Sequence, residues 1–289
     1  MARTTFLGSI SRILPDSVRL RLRSIYHQHI LFPPIRFSGP FATWDDAASR
    51  AIGYDTNVIF EKTKRAALEV KEGRGVFERD SVVFQSPEYN FPLLSVCQTT
   101  AAIHHGELSV MDFGGALGSS YFQNRPLLLG INRIRWSVIE QGSYVEFGNK
   151  HISNHELKFY HSISSAAEAA SPNLVVASAV LQYLPKPWAI LNQLAELDHE
   201  MLLLDRMPVI STGPSLIAVQ HVPKWIYPAS YPCWFFSEQE LIDRLGSRYI
   251  LASATQSKDR IKTSIAPLEY KTYLFLKRGL VPGIATARI

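Results

Sequence analysis

A glycine-rich segment and an acid 22 residues after it are the residues of this sequence best suited to bind a ligand. The segment reads Val110-Met-Asp-Phe-Gly-Gly-Ala-Leu-Gly118: an apolar run, an acid and then glycines. Glycines let the chain turn sharply and approach a ligand closely, and a helix that begins after the turn offers free N–H groups. The next apolar run ends in Glu140, a spacing that suits a carboxylate accepting from both hydroxyls of a ribose. The pattern predicts the floor of a nucleotide-type cofactor site.

The elements around this turn alternate between apolar runs and amphipathic stretches, which favours a parallel sheet covered by helices. We therefore predict an α/β fold: a Rossmann-like, doubly wound, mostly parallel sheet of seven strands with an N-terminal helical extension. A helix is expected over 186–197 and another over 237–245. The stretch between Asp205 and the second helix is rich in proline and aromatic residues and reads as loops. The predicted strands are 108–113, 134–140, 157–161, 173–178, 200–205, 248–255 and 269–277.

Four segments are expected along the chain: a basic N-terminal segment (1–36), a helical N-terminal extension (37–104), a Rossmann-like domain (105–278) and a C-terminal tail (279–289). Within the N-terminal extension, helices are predicted over 56–71 and 93–103. Thr43 with Asp46 resembles a capping box, with Asp in place of the usual Glu.

The composition excludes several other classes of protein. No stretch of about 18 uninterrupted apolar residues exists, so we expect no transmembrane helix. The N-terminus lacks the apolar region of a secretory signal, and the two cysteines lie far apart, so we predict a reduced, cytoplasmic protein. His151 and His155 have the i, i+4 spacing of two metal ligands on a helix, but no third ligand is near in sequence, and we predict no metal site.

The positive charge is concentrated at the N-terminus. The net charge is +5, and residues 1–38 contain six arginines and one acid, so the rest of the chain is balanced. A nucleic-acid-binding domain would spread its basic residues over a folded face, so we predict no nucleic-acid partner. Residues 10–37 either dock on the main domain or a dimer partner, or contact acidic lipid at the inner face of the membrane.

Several of these residues resemble motifs of class I methyltransferases that use S-adenosylmethionine. The segment 110–118 is similar to their D-x-G-x-G-x-G turn, with Ala116 at the middle glycine, and Glu140 matches the acid after their second strand. The stretch 172–187 resembles their fourth-strand motif, with Asn173 where an acid is common. Alanine is small enough to leave the approach open. The dinucleotide fingerprint would need glycine at Phe113 or Ala116, so an NAD site fits less well.

A narrower resemblance extends from about residue 37 to 278. The residues that carry it are Phe37-Ser-Gly-Pro-Phe-Ala-Thr-Trp-Asp-Asp-Ala, Gly53-Tyr-Asp, Asp112-Phe-Gly-Gly and Gln220-His-Val-Pro. Together they resemble a methyltransferase family often found among bacterial surface-polysaccharide genes. The resemblance implies methyl transfer from S-adenosylmethionine to an oxygen of a sugar or glycan precursor, or of a small lipid or polyketide-like acceptor. The alternatives are a non-catalytic scaffold with this fold and an NAD-dependent oxidoreductase.

The resemblance implies a cofactor site at the ends of four strands. The acid after the first strand would help to hold the methionine ammonium group, and the glycines would cup the methionine part. The second-strand acid would accept from the ribose hydroxyls, one pair would flank the adenine, and another would lie under the sulfonium. Taken alone, the first acid could instead cap the turn and the second could be a surface acid. In that order the residues are Asp112; Gly114, Gly115 and Gly118; Glu140; His161 and Ser162; Ser178 and Ala179.

The acceptor side is expected after the fifth strand, where this fold usually recognises its substrate. His221 is the first candidate for the base that removes the acceptor's proton, and Asp205 could orient that base or act as base itself. Arg206 would contact an acidic substrate. Four aromatic residues would stack on a sugar ring or, equally, form a packed lid: Trp225, Tyr227, Tyr231 and Trp234.

Overall fold

A computed structural model of the chain describes residues 35–53, 56–222, 229–257, 259 and 263–280. The strands in these ranges are β1 (Arg36–Phe41), β2 (Phe77–Arg79), β3 (Val82–Phe84), β4 (Glu107–Phe113), β5 (Arg133–Ile139), β6 (Leu157–Tyr160), β7 (Leu174–Ser178), β8 (Met201–Ile210), β9 (Leu216–Val222), β10 (Ala229–Ser237), β11 (Tyr249–Gln256) and β12 (Glu269–Lys277). The helices are α1 (Trp44–Arg50), α2 (Thr56–Lys71), α3 (Phe91–Ile103), α4 (Ser119–Asn124), α5 (Gly142–Phe147), α6 (Ile163–Ala169), α7 (Pro187–Glu196) and α8 (Glu238–Leu245).

Seven strands form the core of the sheet in the order β6-β5-β4-β7-β8-β12-β11. The first five are parallel, and β12 runs antiparallel to both β8 and β11. The chain proceeds outward from β4 to β6 and then crosses to β7 on the other side of β4, so the winding direction reverses between β4 and β7. The predicted Rossmann-like fold is therefore confirmed, and it is the fold of class I methyltransferases. In such sheets ligands bind at the carboxyl ends of the strands beside the point of reversal.

The apolar runs that predicted the strands are buried on both faces. Leu174–Ala177 of β7 and Met201–Leu204 of β8 are each at most 2% exposed. Alternate residues enter two hydrophobic clusters, so that Val176 packs on the side of α3 and Val175 on the side of α7. This burial on both sides is what a central parallel strand requires, and it fixes the strand ends that carry the candidate site.

The stretch after Asp205 was predicted as loops, and this prediction is wrong. Strand β8 continues to Ile210, and β9 and β10 pair as an antiparallel hairpin that β1 extends. Only Phe236 and Ser237 of β10 pair with β8. Along the rest of β10 no described strand lies on that side, so it is an edge strand, where a proline such as Pro232 is tolerated.

The N-terminal extension contains the predicted helices and also strands that were not predicted. Thr43 caps α1, because its hydroxyl accepts a hydrogen bond from the Asp46 N–H at 3.1 Å and donates to the Asp46 carboxylate at 2.7 Å. Strands β2 and β3 form a hairpin whose two tip residues, Asp80 and Ser81, both have positive φ (53° and 67°). That is the backbone of a tight two-residue hairpin turn.

Two predictions concern residues that lie largely outside the described ranges. The basic segment 1–36 is described only at its last two residues, and the tail 279–289 only at its first two. Across the part of the chain that is described, no helix combines the length and apolar character needed to cross a membrane.

Candidate active site

The glycine turn folds back tightly on its own neighbours at the end of β4. A Cβ at Gly114 would lie 2.3 Å from the Val180 side chain, and one at Gly115 would lie 2.6 Å from the Asp112 carboxyl carbon. Gly114 and Gly118 also have left-handed backbones, with φ of 71° and 89°. The glycines are thus required by the packing of the turn itself, before any ligand is considered.

Ala116 replaces a glycine of the methyltransferase pattern, and its small size does not remove the backbone cost of that replacement. Its φ is 50°, in the left-handed region, which costs an L-residue about 1–2 kcal/mol. The difference from glycine is therefore backbone strain rather than bulk. In this conformation the Ala116 N–H interacts with the carboxylate of Glu140 and favours its charged form.

Asp112 lies beneath the turn. Its side chain is 1% exposed, and its Oδ2 accepts a hydrogen bond from the Trp136 ring N–H at 3.0 Å. Its Oδ1 has no partner in the described part of the chain. Burial and, to a smaller extent, the nearby carboxylates of Glu140 and Asp205 raise the pKa of Asp112 to about 7, although the hydrogen bond from Trp136 opposes the shift. A cationic ligand above the turn would interact electrostatically with the Asp112 carboxylate without contacting it. The predicted direct contact with an ammonium group therefore does not follow from the geometry.

Glu140 joins the end of β5 to the glycine turn. Its carboxylate accepts from the Gln141 N–H at 2.9 Å and from the Ala116 N–H. Burial raises its pKa, and the two backbone hydrogen bonds oppose that shift. A carboxylate has about four acceptor positions, so two remain for a ligand. This is the arrangement that gripping a ribose through both hydroxyls requires.

Of the two residue pairs that follow β6 and β7, one side chain is exposed and two already have hydrogen-bond partners. His161 is exposed and its ring lies beside the start of α5, with Cε1 4.0 Å from where a Cβ on Gly142 would be. Ser162 instead caps α6, accepting from the Ser165 N–H at 3.1 Å. The Ser178 hydroxyl donates to Asp205 at 2.8 Å, and Ala179 has a left-handed φ of 52°. His161 thus keeps a free face, while the two serine hydroxyls already have partners.

Asp205 acts as a structural junction. It is 4% exposed, and its carboxylate accepts from Asn90 Nδ2 at 3.0 Å, Ser178 Oγ at 2.8 Å and Thr272 Oγ1 at 2.6 Å. These donors tie α3, β7 and β12 to the middle of β8. A carboxylate engaged in this way is poorly placed to take a proton from an acceptor, so the predicted role as base does not fit.

Arg206 is already neutralised. Residues 205 and 206 form a bulge opposite Thr272, where the register of β12 shifts, and Arg206 has a φ of 55°. Its guanidinium donates from Nε to Asp259 at 2.7 Å and from Nη2 to Asp80 at 2.9 Å. Because two carboxylates compensate one cation, the predicted contact with an acidic substrate is not supported.

His221 and Tyr231 face opposite sides of the β9–β10 hairpin. The ring of His221 hydrogen-bonds Ser38 of β1, with 2.8 Å between its Nε2 and the hydroxyl oxygen. The adjacent Gln220 points to the other side, where its amide donates to the Tyr231 hydroxyl and accepts from the Tyr183 hydroxyl, both at 3.2 Å. Tyr183 follows β7, so the face with Gln220 is the one beside the candidate cofactor site. The structure does not pair His221 with Asp205.

Two of the four predicted stacking residues are described, and these two do not form one surface. Trp234 is packed, with its ring stacked 6.3 Å from that of Trp44 and its N–H donating to the Leu184 carbonyl at 3.0 Å. Tyr231 lies on the opposite face of β10, in edge contact with Tyr183. Trp225 and Tyr227 lie outside the described residues. Trp234 therefore follows the packed alternative, and Tyr231 remains a candidate for contact with the acceptor.

Sequence reasoning missed the β2–β3 hairpin, which lies over this edge of the sheet. Glu78 is 4% exposed and accepts hydrogen bonds from the Ser119 hydroxyl and, at 3.2 Å, from the Ser81 N–H. Asp80 reaches Arg206, as described above. Three-residue strands with polar tips resemble ordinary loops in the sequence. Tyr183 was also not predicted as a site residue, but the sequence could have indicated it, because it lies within the fourth-strand motif.

The two histidines with metal-like spacing do not share a helix face. The helical turn that contains His151 ends at Ile152, and His155 follows it in a loop. Among the described residues, no three His, Cys, Asp or Glu side chains come together as metal ligands.

No family model matches the sequence, and no curated protein matches it. Solved structures that it resembles include the N-terminal domain of EvdMO1, crystallised with S-adenosylhomocysteine and D-fucose, at 12% identity and a TM-score of 0.45 over 78% of this chain and 98% of that one. Magnesium protoporphyrin IX methyltransferase from Synechocystis PCC 6803 is 15% identical, with a TM-score of 0.41 over 78% and 99% of the two chains. A methyltransferase from Clostridium acetobutylicum is 8% identical, with a TM-score of 0.43 over 74% and 98%. At these TM-scores the fold assignment rests on the strand order given above.

Proposed function

We propose that this protein binds S-adenosylmethionine and transfers its methyl group to an acceptor. The observation that carries the proposal is the position of Glu140. Its carboxylate is held by the backbone of the glycine turn, retains two acceptor positions, and lies at the edge of the sheet where β4 meets β5. A nucleoside with two free ribose hydroxyls matches that geometry.

The electrostatics of the same edge favour a cation. Asp112 has an unpartnered oxygen, and Glu78 has no ion pair within the described ranges. Both carboxyls have raised pKa values because of burial. S-adenosylmethionine carries a sulfonium and an ammonium group, which would stabilise the charged forms of both acids. When bound, it supplies the methyl group, and the site need only position donor and acceptor in line.

The acceptor would lie against the polar wall formed by Tyr183, Gln220 and Tyr231. Hydrogen bonds link these three side chains at the carboxyl edge of the sheet, and Tyr183 lies in the short helical turn that follows β7. Hydroxyl and amide groups suit an acceptor that is itself rich in hydroxyls. This supports an oxygen of a sugar or glycan precursor as the methylated atom, in agreement with the family resemblance.

The test is a calorimetric titration with S-adenosylhomocysteine. Wild type should bind in the micromolar range, and Glu140→Ala should raise Kd about tenfold or more, a loss of about 1.4 kcal/mol. Glu146→Ala is the matched control, because Glu146 is an exposed acid on the neighbouring α5. No binding by folded wild type would contradict the proposal and favour the non-catalytic scaffold. Binding of NAD in place of S-adenosylhomocysteine would favour the oxidoreductase.

A further inference from the structure

Glu78 is a buried carboxylate without a counter-cation in the described part of the chain. Its hydrogen-bond donors are the Ser119 hydroxyl and the Ser81 N–H, both uncharged. The charge of Asp80, which has the same sign, adds to the rise in its pKa. Acidic side chains are rarely this buried unless they are paired, since burying an uncompensated charge is costly. The position is therefore unfavourable for the protein without a ligand.

The location of Glu78 connects it to the glycine turn. Ser119, its hydroxyl partner, follows Gly118 directly and is the first residue of α4. From this point the hairpin extends across the edge of the sheet, because Asp80 at its tip pairs with Arg206 at the bulge within β8. The tip is also attached to α2, because the Ser81 and Thr63 hydroxyl oxygens are hydrogen-bonded at 2.8 Å. The hairpin thus connects the start of α4, which follows β4, with the bulge of β8, and Glu78 lies on the β4 side.

We propose that Glu78 binds the ammonium group of the methionine part of the cofactor. The inference rests on the proposed function, since that group is expected above Gly114–Gly118. An ammonium group has three donors and one positive charge. Glu78 offers the missing negative charge, and its two existing hydrogen bonds leave acceptor positions open. Asp112, which the sequence suggested for this role, is only 1% exposed.

The ionisation of Glu78 agrees with this role. Burial raises its pKa to about 7, and the Ser119 hydroxyl opposes the shift without cancelling it. An ammonium group in contact with the carboxyl would stabilise its charged form. Ligand binding would then relieve the unfavourable burial and hold the hairpin over the site.

The test compares two ligands that differ in the amino-acid part. S-adenosylhomocysteine carries the ammonium group, whereas 5′-methylthioadenosine has the same adenosine and a thioether but no amino acid. For Glu78→Gln we expect Kd for S-adenosylhomocysteine to rise about tenfold or more, with Kd for 5′-methylthioadenosine within about twofold of wild type. Glu72→Gln, which changes an exposed acid beyond α2, should change neither value.

Other outcomes decide against the inference in distinguishable ways. Equal weakening of both ligands by Glu78→Gln would show that the hairpin only supports the site, and unchanged binding of both would show that Glu78 contacts neither. Failure of wild type to bind either ligand would remove the proposed function itself. If Glu78→Gln does not fold, Glu78→Asp provides the same comparison, and a loss of about threefold or more confined to S-adenosylhomocysteine is then expected.

Discussion

Buried acids dominate the chemistry of the site at the scale of single residues. Asp112, Glu140 and Glu78 surround the glycine turn, and each has a pKa raised by burial. The guanidinium of Arg206, at the same edge of the sheet, is already held by two other carboxylates. An apo site with this charge balance favours protonated acids near neutral pH, and a cationic ligand favours their ionised forms.

Cofactor binding should therefore strengthen as the pH rises. The pKa of Asp112 is about 7, so the apo protein carries its proton below that value and loses it above. A cation that stabilises the charged form lowers this pKa, which releases a proton on binding and lowers Kd between about pH 6 and pH 8. The measurement is the titration of S-adenosylmethionine in two buffers that differ in ionisation enthalpy.

The neighbours of Asp112 define the control for this experiment. Trp136 donates to it, and Glu140 and Asp205 act on it through their charges. Asp112→Asn keeps an acceptor for Trp136 but cannot ionise, so the pH dependence of Kd should become weaker while the contribution of Glu78 remains. A Kd for wild type that stays constant from about pH 6 to pH 8 would show that no buried acid responds to the ligand.

At the scale of helices and strands, Asp205 is the residue to which several elements are hydrogen-bonded. Asn90 has two tasks: its side-chain oxygen caps α3 by accepting from the Leu93 N–H at 3.2 Å, and its amide nitrogen donates to Asp205. The end of β7 and the middle of β12 join the same carboxylate through Ser178 and Thr272. One buried acid thus fixes the position of the middle of β8 relative to α3, β7 and β12.

Asn90→Asp separates the two tasks of this residue. An aspartate still caps α3, but it places a second carboxylate about 3 Å from that of Asp205. We expect a loss of about 1–3 kcal/mol in the free energy of unfolding at pH 8, because a buried acceptor pair replaces a hydrogen bond. Much of the loss should be recovered near pH 5, where one of the two carboxyls binds a proton. Denaturant unfolding at both pH values checks this, and an equal loss at both would contradict the account.

The elements also show how far the sequence allowed prediction. The five parallel strands and α7 were predictable because parallel strands buried on both faces appear as continuous apolar runs, as in β7 and β8. The β9–β10 hairpin was not predicted, because its prolines made the stretch resemble loops. Proline is tolerated here because β10 is largely an edge strand. The β2–β3 hairpin was missed because three-residue strands carry too little pattern.

The same division holds for the site. Glu140 and the glycine turn are adjacent to strand ends that sequence spacing can locate. The places of His221 and Arg206 depend on contacts between segments far apart in the chain, with Ser38 and with Asp80 and Asp259. The side of the sheet that a residue faces and the charge that neutralises it are decided by these long-range contacts, which one sequence does not contain.

At the scale of the whole molecule, the basic N-terminal segment adds a separate prediction. The segment was predicted either to contact acidic lipid or to dock on the main domain or a dimer partner. If it contacts lipid, full-length protein should sediment with vesicles that contain about 30% anionic lipid, and less at high salt, because the attraction is electrostatic. Deletion of residues 1–36 should abolish sedimentation and leave Kd for S-adenosylhomocysteine unchanged. Equal sedimentation of the shortened protein would contradict the membrane role and favour docking on the main domain or a partner.

The central claim is that the edge of the sheet between β4 and β5 holds S-adenosylmethionine. A crystal structure of the protein with S-adenosylhomocysteine tests it most directly. We predict both ribose hydroxyls within hydrogen-bond distance of Glu140, the methionine part over the glycine turn and its ammonium group beside Glu78. Ligand density at another place, or a ribose that does not contact Glu140, would contradict the account.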